Sequence, residues 1–491
     1  MNIADTDFAQ ISDLIRHNAQ TIPAHAALVE SGRVITYAEL DVWMNRVANA
    51  LRRDGLKVGD AIAMCDLSSW AYAVVYLGAL RAGMVVAPLA PGSTAEGLER
   101  MIKDANARLV FMPGRIELHA LADWLGDASA EPVSVVLPPE HPFNIIYSSG
   151  TTGEPKGIVQ SHAMRWGHVK RAATYGYSAH TVTLLSTPLY SNTTLVVFFP
   201  SLAAGSCVVL MPKFDASKFL QLAQEHRATH TMLVPVQYQR LMALPEFGSF
   251  DLSSFQFKFS TSAPFRAALK QDVVQRWPGA LVEFYGMTEG GGTAILQANL
   301  HPDKLHTVGQ AAPGHDIRLI DDEGHELPAG ATGEVVGRSA TMMNEYHGKP
   351  EKTREAEWYD KDGLRFIRTG DVGRFDADGF LTLLDRKKDL VISGGFNVYP
   401  SDLEAELRLH PAVADVAVVG MPSEQWGETP VAFVVLAHGQ NTNPEDLRNW
   451  LNQRVGKMQR LSALHLIAEL PRSAIGKVLK RELRVADPAA A

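Results

Sequence analysis

The sequence is short of several things, and each shortage excludes a class of protein. Its two cysteines, Cys65 and Cys207, stand far apart in apolar runs (AIAMCDL and GSCVVLM). Neither a disulfide framework nor a cysteine metal site is expected from them, and a reducing compartment is the better setting. No stretch reaches the ~18 consecutive apolar residues of a membrane span. The opening MNIADTDFAQ has neither a basic start nor an apolar h-region, so no secretory signal is expected and a cytoplasmic location is. Positive charge is not in excess: 46 Lys and Arg face 54 Asp and Glu, a formal charge of −8. That gives no overall pull toward nucleic acid. Repeats of fixed period and low-complexity segments are also missing.

What remains is a globular composition, 46% hydrophobic and 20% charged, over 491 residues. So long a chain is expected to split into two or more domains. A homodimer is left open. TYAELDVWMNRVANALRR (36–53) has apolar residues at helical spacing, with Thr36 as N-cap and Glu39 three residues on. AIAMCDL reads as a buried strand, WAYAVVYLGALRAG (70–83) as a helix ending at Gly83, and MVVAPLAP as a strand. Strands and helices keep alternating to about residue 235, the pattern of largely parallel buried sheets. Near residue 370 the texture changes. RTGDVGRFDADGFLTLLD suggests hairpins, DRKKD (385–389) a connector, and SDLEAELRLH (401–410) a helix capped by Ser401 with Glu404. The expected division is 1–386 and 389–491, with a hinge at 387–388.

Five stretches carry candidate chemistry. YSSGTTGEPKG (147–157) follows the apolar strand FNII. Its glycines let backbone amides converge on an anion, its hydroxyls add donors and Lys156 adds a cation. It is not a Walker A loop, because no Lys-Ser or Lys-Thr follows the second glycine. FYGMTEGGG (284–292) offers the Tyr285 ring to a flat group, the Thr288 hydroxyl to a phosphate and the Glu289 carboxylate to Mg²⁺. A tight strand-to-loop turn explains it equally well. In RTGDVG (368–373), Asp371 has the acceptors for a ribose diol, although turns recruit Asp for their own backbone. DRKKDLVISGGFN (385–397) holds Arg386, Lys387, Lys388 and the bend Gly394–Gly395. PRSAIGKVLKREL (471–483) puts Lys477 after a glycine at the head of a short amphipathic segment.

In this order and spacing, the five stretches resemble the signature set of the acyl-adenylate-forming enzymes. These are the acyl-CoA and aryl-CoA ligases, firefly luciferase and the adenylation domains of peptide synthetases. The likeness runs from TYAEL (36–40) to LKREL (479–483). It implies an α/β fold: a large N-terminal domain of two βα sheets plus a distorted β-barrel, and a small mobile α+β C-terminal domain. It implies ATP, Mg²⁺ and coenzyme A as cofactors and a small carboxylic acid as substrate. By similarity, Ser148, Ser149, Gly150, Thr151, Thr152, Gly153 and Lys156 bind the β- and γ-phosphates. Tyr285 stacks on adenine beside Gly286 and Met287, Thr288 contacts the α-phosphate and Glu289 holds Mg²⁺. Asp371 takes the ribose diol with help from Arg386. Lys477 bridges the carboxylate and the α-phosphate, and Lys388 is the hinge. Gly394, Gly395, Trp426 and Arg460 lie toward coenzyme A.

The chain departs from the family pattern in places. Ser191, in TPLYSNTTLVV, stands where a histidine is common; LAPGST (89–94) replaces a strand ending in N-P-R; and MQ (458–459) replaces a Phe/Tyr-Lys pair. No Asp occurs between Pro188 and Pro200 to hold an α-amine, so the acid is expected to lack one. The expected acyl wall is Ser191, Thr193, Val197, Thr261, Ser262 and Gly290 to Gly292. Its small and polar residues lean toward an aryl or arylpropenoic acid. The expected function is therefore an acid–thiol ligase. The alternatives are a fatty acyl-CoA synthetase, an enzyme that loads a carrier protein, and an inactive adenylate-binding protein.

Overall fold

The computed structural model describes residues 5–148, 156–394, 396–473 and 476–485. The chain falls into two compact units. The first is Met1–Asp316 with Gly337–Ile367, and the second is Ile317–Val336 with Arg368–Ala491. The expected boundary at 387–388 thus lies inside the second unit.

Two sheets organise the first unit. The larger has nine strands in the order Gln310–Ala311, Ala294–Gln297, Ala280–Tyr285, Phe257–Ser260, His230–Leu233, Val182–Leu185, Cys207–Leu210, Ala26–Glu30 and Arg33–Thr36. Its six central strands run parallel, and antiparallel pairs close both edges. The six-stranded sheet runs Glu345–Tyr346, Lys156–Ser161, Pro142–Ser148, Val85–Pro88, Ala61–Met64 and Ala107–Phe111. Fully buried runs such as Ala61–Met64 and Cys207–Leu210 are what parallel strands covered on both faces require.

The helices between them follow local rules. Tyr37–Arg53 starts at a complete capping box: the Thr36 side chain accepts from the Glu39 amide, and the Glu39 carboxylate accepts from the Thr36 amide. Trp70–Arg81 is buried on nearly every side, so its last residue needs partners in the core. Arg81 finds Asp41 at 2.7 Å and Asn45 Oδ1 at 2.9 Å. That helix ends two residues before Gly83, which turns the chain at a φ of 76°.

The second unit contains most of a five-stranded sheet built from Asp316–Ile320, Thr332–Arg338, Glu357–Tyr359, Arg365–Phe375 and Leu381–Arg386, the last two forming the expected hairpin. Beyond a 3₁₀ turn at Lys387–Asp389, a second sheet orders Phe396–Val398, Val391–Ser393, Gly427–Leu436 and Val413–Ser423, with Ala463–Leu466 parallel to Gly427–Leu436. One expectation is corrected here. Ser401 does not cap its helix, which runs Pro400–Leu407 with Tyr399 at the N-cap and no side-chain cap. Pro400 fits the first helical position because its missing N–H is not needed there. The Ser401 amide instead donates to Asp385 Oδ2 at 2.7 Å. Among the described residues no helix is long and apolar enough to cross a membrane.

Candidate active site

The glycine- and hydroxyl-rich loop joins two antiparallel neighbours, whose ends pair Ser148 with Lys156. Ser149, Gly150, Thr151, Thr152 and Gly153 lie outside the described residues. Lys156 holds its Nζ 5.3 Å from the centre of the Tyr346 ring. The Tyr346 hydroxyl donates to Glu289 Oε1 at 2.7 Å. Burial, followed by the Glu289 charge, pushes that phenol's pKa up, so it stays a donor. Lys156, Tyr346 and Glu289 therefore line up from three separate segments. Tyr346 takes part of one Glu289 oxygen, and a carboxylate offers about four lone-pair sites in all. Within this row the Glu289 carboxylate alone offers the hard oxygen that a cation such as Mg²⁺ takes.

Tyr285 ends the strand Ala280–Tyr285, and Gly286 to Glu289 follow as the loop beyond it. Two glycines fix where that loop turns back. Gly290 has a φ of 78°, and a Cβ there would come within 2.0 Å of the Thr341 carbonyl oxygen. Gly291 has a φ of 87°, and its Cβ would come within 2.8 Å of the Gly337 oxygen. Only glycine meets both demands. The Met343 amide then donates to the Glu289 carbonyl at 2.7 Å.

Sequence reasoning missed what lies beneath this loop. Gln160 is fully buried and donates from Nε2 to the Thr288 carbonyl at 2.6 Å. The Arg165 guanidinium donates to Gln160 Oε1 and, at 3.3 Å, to Asn144 Oδ1. Arg165 is 1% exposed, and burial lowers its pKa to about 10. A polar residue in the buried strand KGIVQS was the available signal.

At the candidate acyl wall, Thr193 Oγ1 and Ser262 Oγ meet at 2.5 Å. Ser262 is a non-glycine residue with a φ of 81°, a conformation that costs of order 1–3 kcal/mol and that clusters at functional sites. Ser191 caps the helix Asn192–Ala203, accepting from the Thr193 amide at 3.3 Å. Val197 is buried one turn beyond Thr193. Thr261 directly follows the strand Phe257–Ser260.

In the second unit, Arg386 donates to Asp371 Oδ1 at 2.9 Å across the hairpin. Thr369 Oγ1 accepts from the Asp371 amide at 3.0 Å. Lys387 reaches Asp322 at 2.7 Å and Glu334 at 3.3 Å, and Lys388 lies in the 3₁₀ turn. The Gly394 amide donates to the Trp426 carbonyl at 2.8 Å. Trp426 and Arg460, distant in sequence, line one cleft of about 310 Å³ with Lys457 and Ser393. None of its lining residues is acidic. Lys457 is a second residue that sequence reasoning missed. Gly395 lies outside the described residues. Lys477 follows a tight turn in which Arg472 Nη1 donates to the Gly476 carbonyl at 2.8 Å, and the Lys477 carbonyl accepts from the Ser473 amide at 2.8 Å. The helix after it is Lys480–Val485, so Lys477 precedes rather than begins it.

Comparison with known proteins places this geometry among relatives. The AMP-binding enzyme profile matches residues 15–347, and the profile of the AMP-binding enzyme C-terminal domain matches 402–477. The chain is 32% identical over 480 residues to a feruloyl-CoA synthase of Amycolatopsis sp, covering 95% of this chain and 96% of the relative. It is 32% identical over 496 residues to the fatty acid–[acyl-carrier-protein] ligase ScoC of Streptomyces coeruleorubidus, covering 95% and 94%. The crystal structure of ATP-bound MatB from Rhodopseudomonas palustris superposes with a TM-score of 0.87 at 31% identity, covering 96% of this chain and 98% of that one.

Proposed function

The chain belongs to the AMP-binding enzyme family, and from that premise we propose that it is an ATP-dependent acid–thiol ligase. A carboxylate attacks the α-phosphorus of ATP, giving acyl-AMP and pyrophosphate. The thiol of coenzyme A then attacks the acyl carbon, and AMP leaves. Lys156 with the loop 148–153 steadies the β- and γ-phosphates. Tyr285, Gly286 and Met287 take adenine, Thr288 the α-phosphate, and Asp371 with Arg386 the ribose. Glu289 would hold Mg²⁺, which neutralises phosphate charge when bound. Lys477 supplies the cation that lets two anions approach. One preorganised donor of this kind is commonly worth ~3–4 kcal/mol of barrier. The C-terminal domain turns about Lys388 between the two half-reactions, exchanging Lys477 for the Gly394–Gly395 bend.

The observation that carries the choice of acceptor is the acid-free cleft at Trp426, Lys457 and Arg460. An aromatic face beside two cations suits a phosphorylated nucleotide, the end of coenzyme A that a bare phosphopantetheine arm lacks. The acid is an aryl or arylpropenoic one, a reading supported by the feruloyl-CoA synthase relative. The ScoC relative, named a fatty acid–[acyl-carrier-protein] ligase, favours a second reading, in which a carrier protein accepts the acyl group.

The test is AMP release over a panel of benzoates, cinnamates and fatty acids, with coenzyme A or a holo-carrier as acceptor. Turnover only with the carrier would reject coenzyme A. Absence of pyrophosphate exchange with every acid would reject adenylation itself.

A further inference from the structure

Behind the candidate acyl wall lies a small cavity in the first unit, with a volume of about 20 Å³. That is room for about one water-sized group. His168, Arg171, Tyr175, Val197, Phe259 and Phe284 are among the residues around it, and none of its lining residues is acidic. Its depth follows from chain position. Val197 is one helical turn past Thr193, Phe259 lies two residues before Thr261, and Phe284 immediately precedes Tyr285. The cavity therefore sits below the strand ends where the candidate nucleotide and acyl residues stand.

Its polar content is unusual for a pocket meant to hold plain hydrocarbon. His168 and Arg171 are three residues apart on the helix His162–Ala172, and so share a face. The Arg171 guanidinium lies 5.2 Å from the centre of the Phe284 ring. Among the described residues no carboxylate pairs with it. His168 is 8% exposed, and its Nδ1 is buried without a hydrogen-bond partner. His315 is close enough that Arg171, after burial, helps to drive its pKa down to about 4. His315 Nδ1 accepts from the amide of Thr293, the residue after Gly292. Arg171 is half-buried, and a guanidinium drawn partly out of water without an anion loses solvation that nothing here repays. A ligand that brings the anion removes that cost. A hydrocarbon ligand does not.

We propose that the acid activated by this chain carries a second carboxylate at the end remote from the reacting one, and that Arg171 and His168 receive it. The cavity takes one oxygen of that carboxylate rather than the ring or chain that bears it. The inference rests on the adenylation reading in treating this cavity as the floor of the acyl pocket.

The test uses matched acids that differ by one carboxylate: terephthalate against benzoate, 4-carboxycinnamate against cinnamate, and pentanedioate against pentanoate. The wild-type enzyme is expected to favour the dicarboxylic member of at least one pair by tenfold or more in kcat/KM. Arg171→Leu is expected to reverse that ratio, and Arg171→Lys to keep part of it. A wild-type ratio at or below one in every pair, or the same ratio in Arg171→Leu, overturns the inference. If Arg171→Leu is misfolded by circular dichroism, the wild-type ratios and Arg171→Lys decide. Calorimetric titration of the same acids separates the two levels of the argument. Without any turnover, dicarboxylic-acid binding that weakens at least tenfold in Arg171→Leu sustains Arg171 as the carboxylate's receptor and rejects activation of these acids. Equal or undetectable binding in both proteins rejects the inference.

Discussion

Gln160 is the residue whose replacement tests the buried support of the active loop most directly. Its side chain makes two jobs one: Nε2 donates to the Thr288 carbonyl at 2.6 Å, while Oε1 accepts from Arg165. Leucine at 160 keeps the volume roughly constant and removes both bonds. The Thr288 carbonyl then loses a donor, at a cost of ~1–3 kcal/mol if no water replaces it. Arg165 already has Nη1 without a partner and keeps only Asn144 among its described side-chain acceptors. A hydrogen bond to a charged group is worth ~1.5–3 kcal/mol. Greater burial of apolar surface by leucine returns ~1 kcal/mol. Gln160→Leu should therefore cost about 1.5–5 kcal/mol, read as a lower urea midpoint of the first unfolding transition followed by tryptophan fluorescence. Gln160→Glu separates the two jobs. It gives Arg165 a better acceptor and sets a carboxylate against the Thr288 carbonyl. Its stability should approach that of wild type, while acyl-AMP formation falls at least tenfold. A Gln160→Leu protein within about 0.5 kcal/mol of wild type, half a typical hydrogen bond, would refute the network. A fully active Gln160→Glu would refute its hold on Thr288.

The remaining expectations concern single residues. Gly290→Ala should cost at least ~3 kcal/mol, since backbone strain and a steric clash add; a soluble variant with the wild-type melting midpoint would contradict this. Lys477→Ala should lower acyl-AMP formation by about 10²–10³ and leave transfer from preformed acyl-AMP much less affected. Lys388→Pro should do the reverse, because a fixed φ stiffens the hinge; equal losses in both halves would contradict both roles. Trp426→Ala should raise the KM for coenzyme A by roughly tenfold, as loss of one stacked base at ~1–3 kcal/mol implies, with the KM for ATP unmoved. Asp385 has its pKa raised from 3.8 to about 6, chiefly by burial and against the pull of Lys480. A carboxyl raised in the folded state stabilises most below its unfolded pKa and loses that contribution as pH rises through about 6. Asp385→Asn should therefore flatten the change in melting midpoint between pH 4 and 7; an unchanged slope would show that Asp385 is not the group responsible.

Much of the local architecture was legible in the chain. Thr36 and Glu39 stand three apart, the spacing a capping box needs, and both of its hydrogen bonds form. The alternation of apolar strands and helices announced parallel sheets, because strands covered on both faces must be apolar throughout. Ser401 misled because Ser-x-x-Glu is a valid cap pattern, and only the fold shows that Pro400 begins the helix while Ser401 turns to Asp385.

The order of the motifs, the glycines needed at positive φ and the absence of an Asp in the acyl wall are properties of the string of residues. They depend on spacing or on a single backbone conformation. The Gln160–Arg165 support, the Lys156–Tyr346–Glu289 row, the basic cavity at Arg171 and the cleft joining Trp426 to Lys457 and Arg460 were settled by tertiary structure alone. Each gathers residues from segments tens to nearly two hundred positions apart, or sets side chains of one helix against distant strands. No local periodicity records which polar group a buried charge meets. That pairing is fixed only when sheet register and helix packing remove the alternatives offered by water.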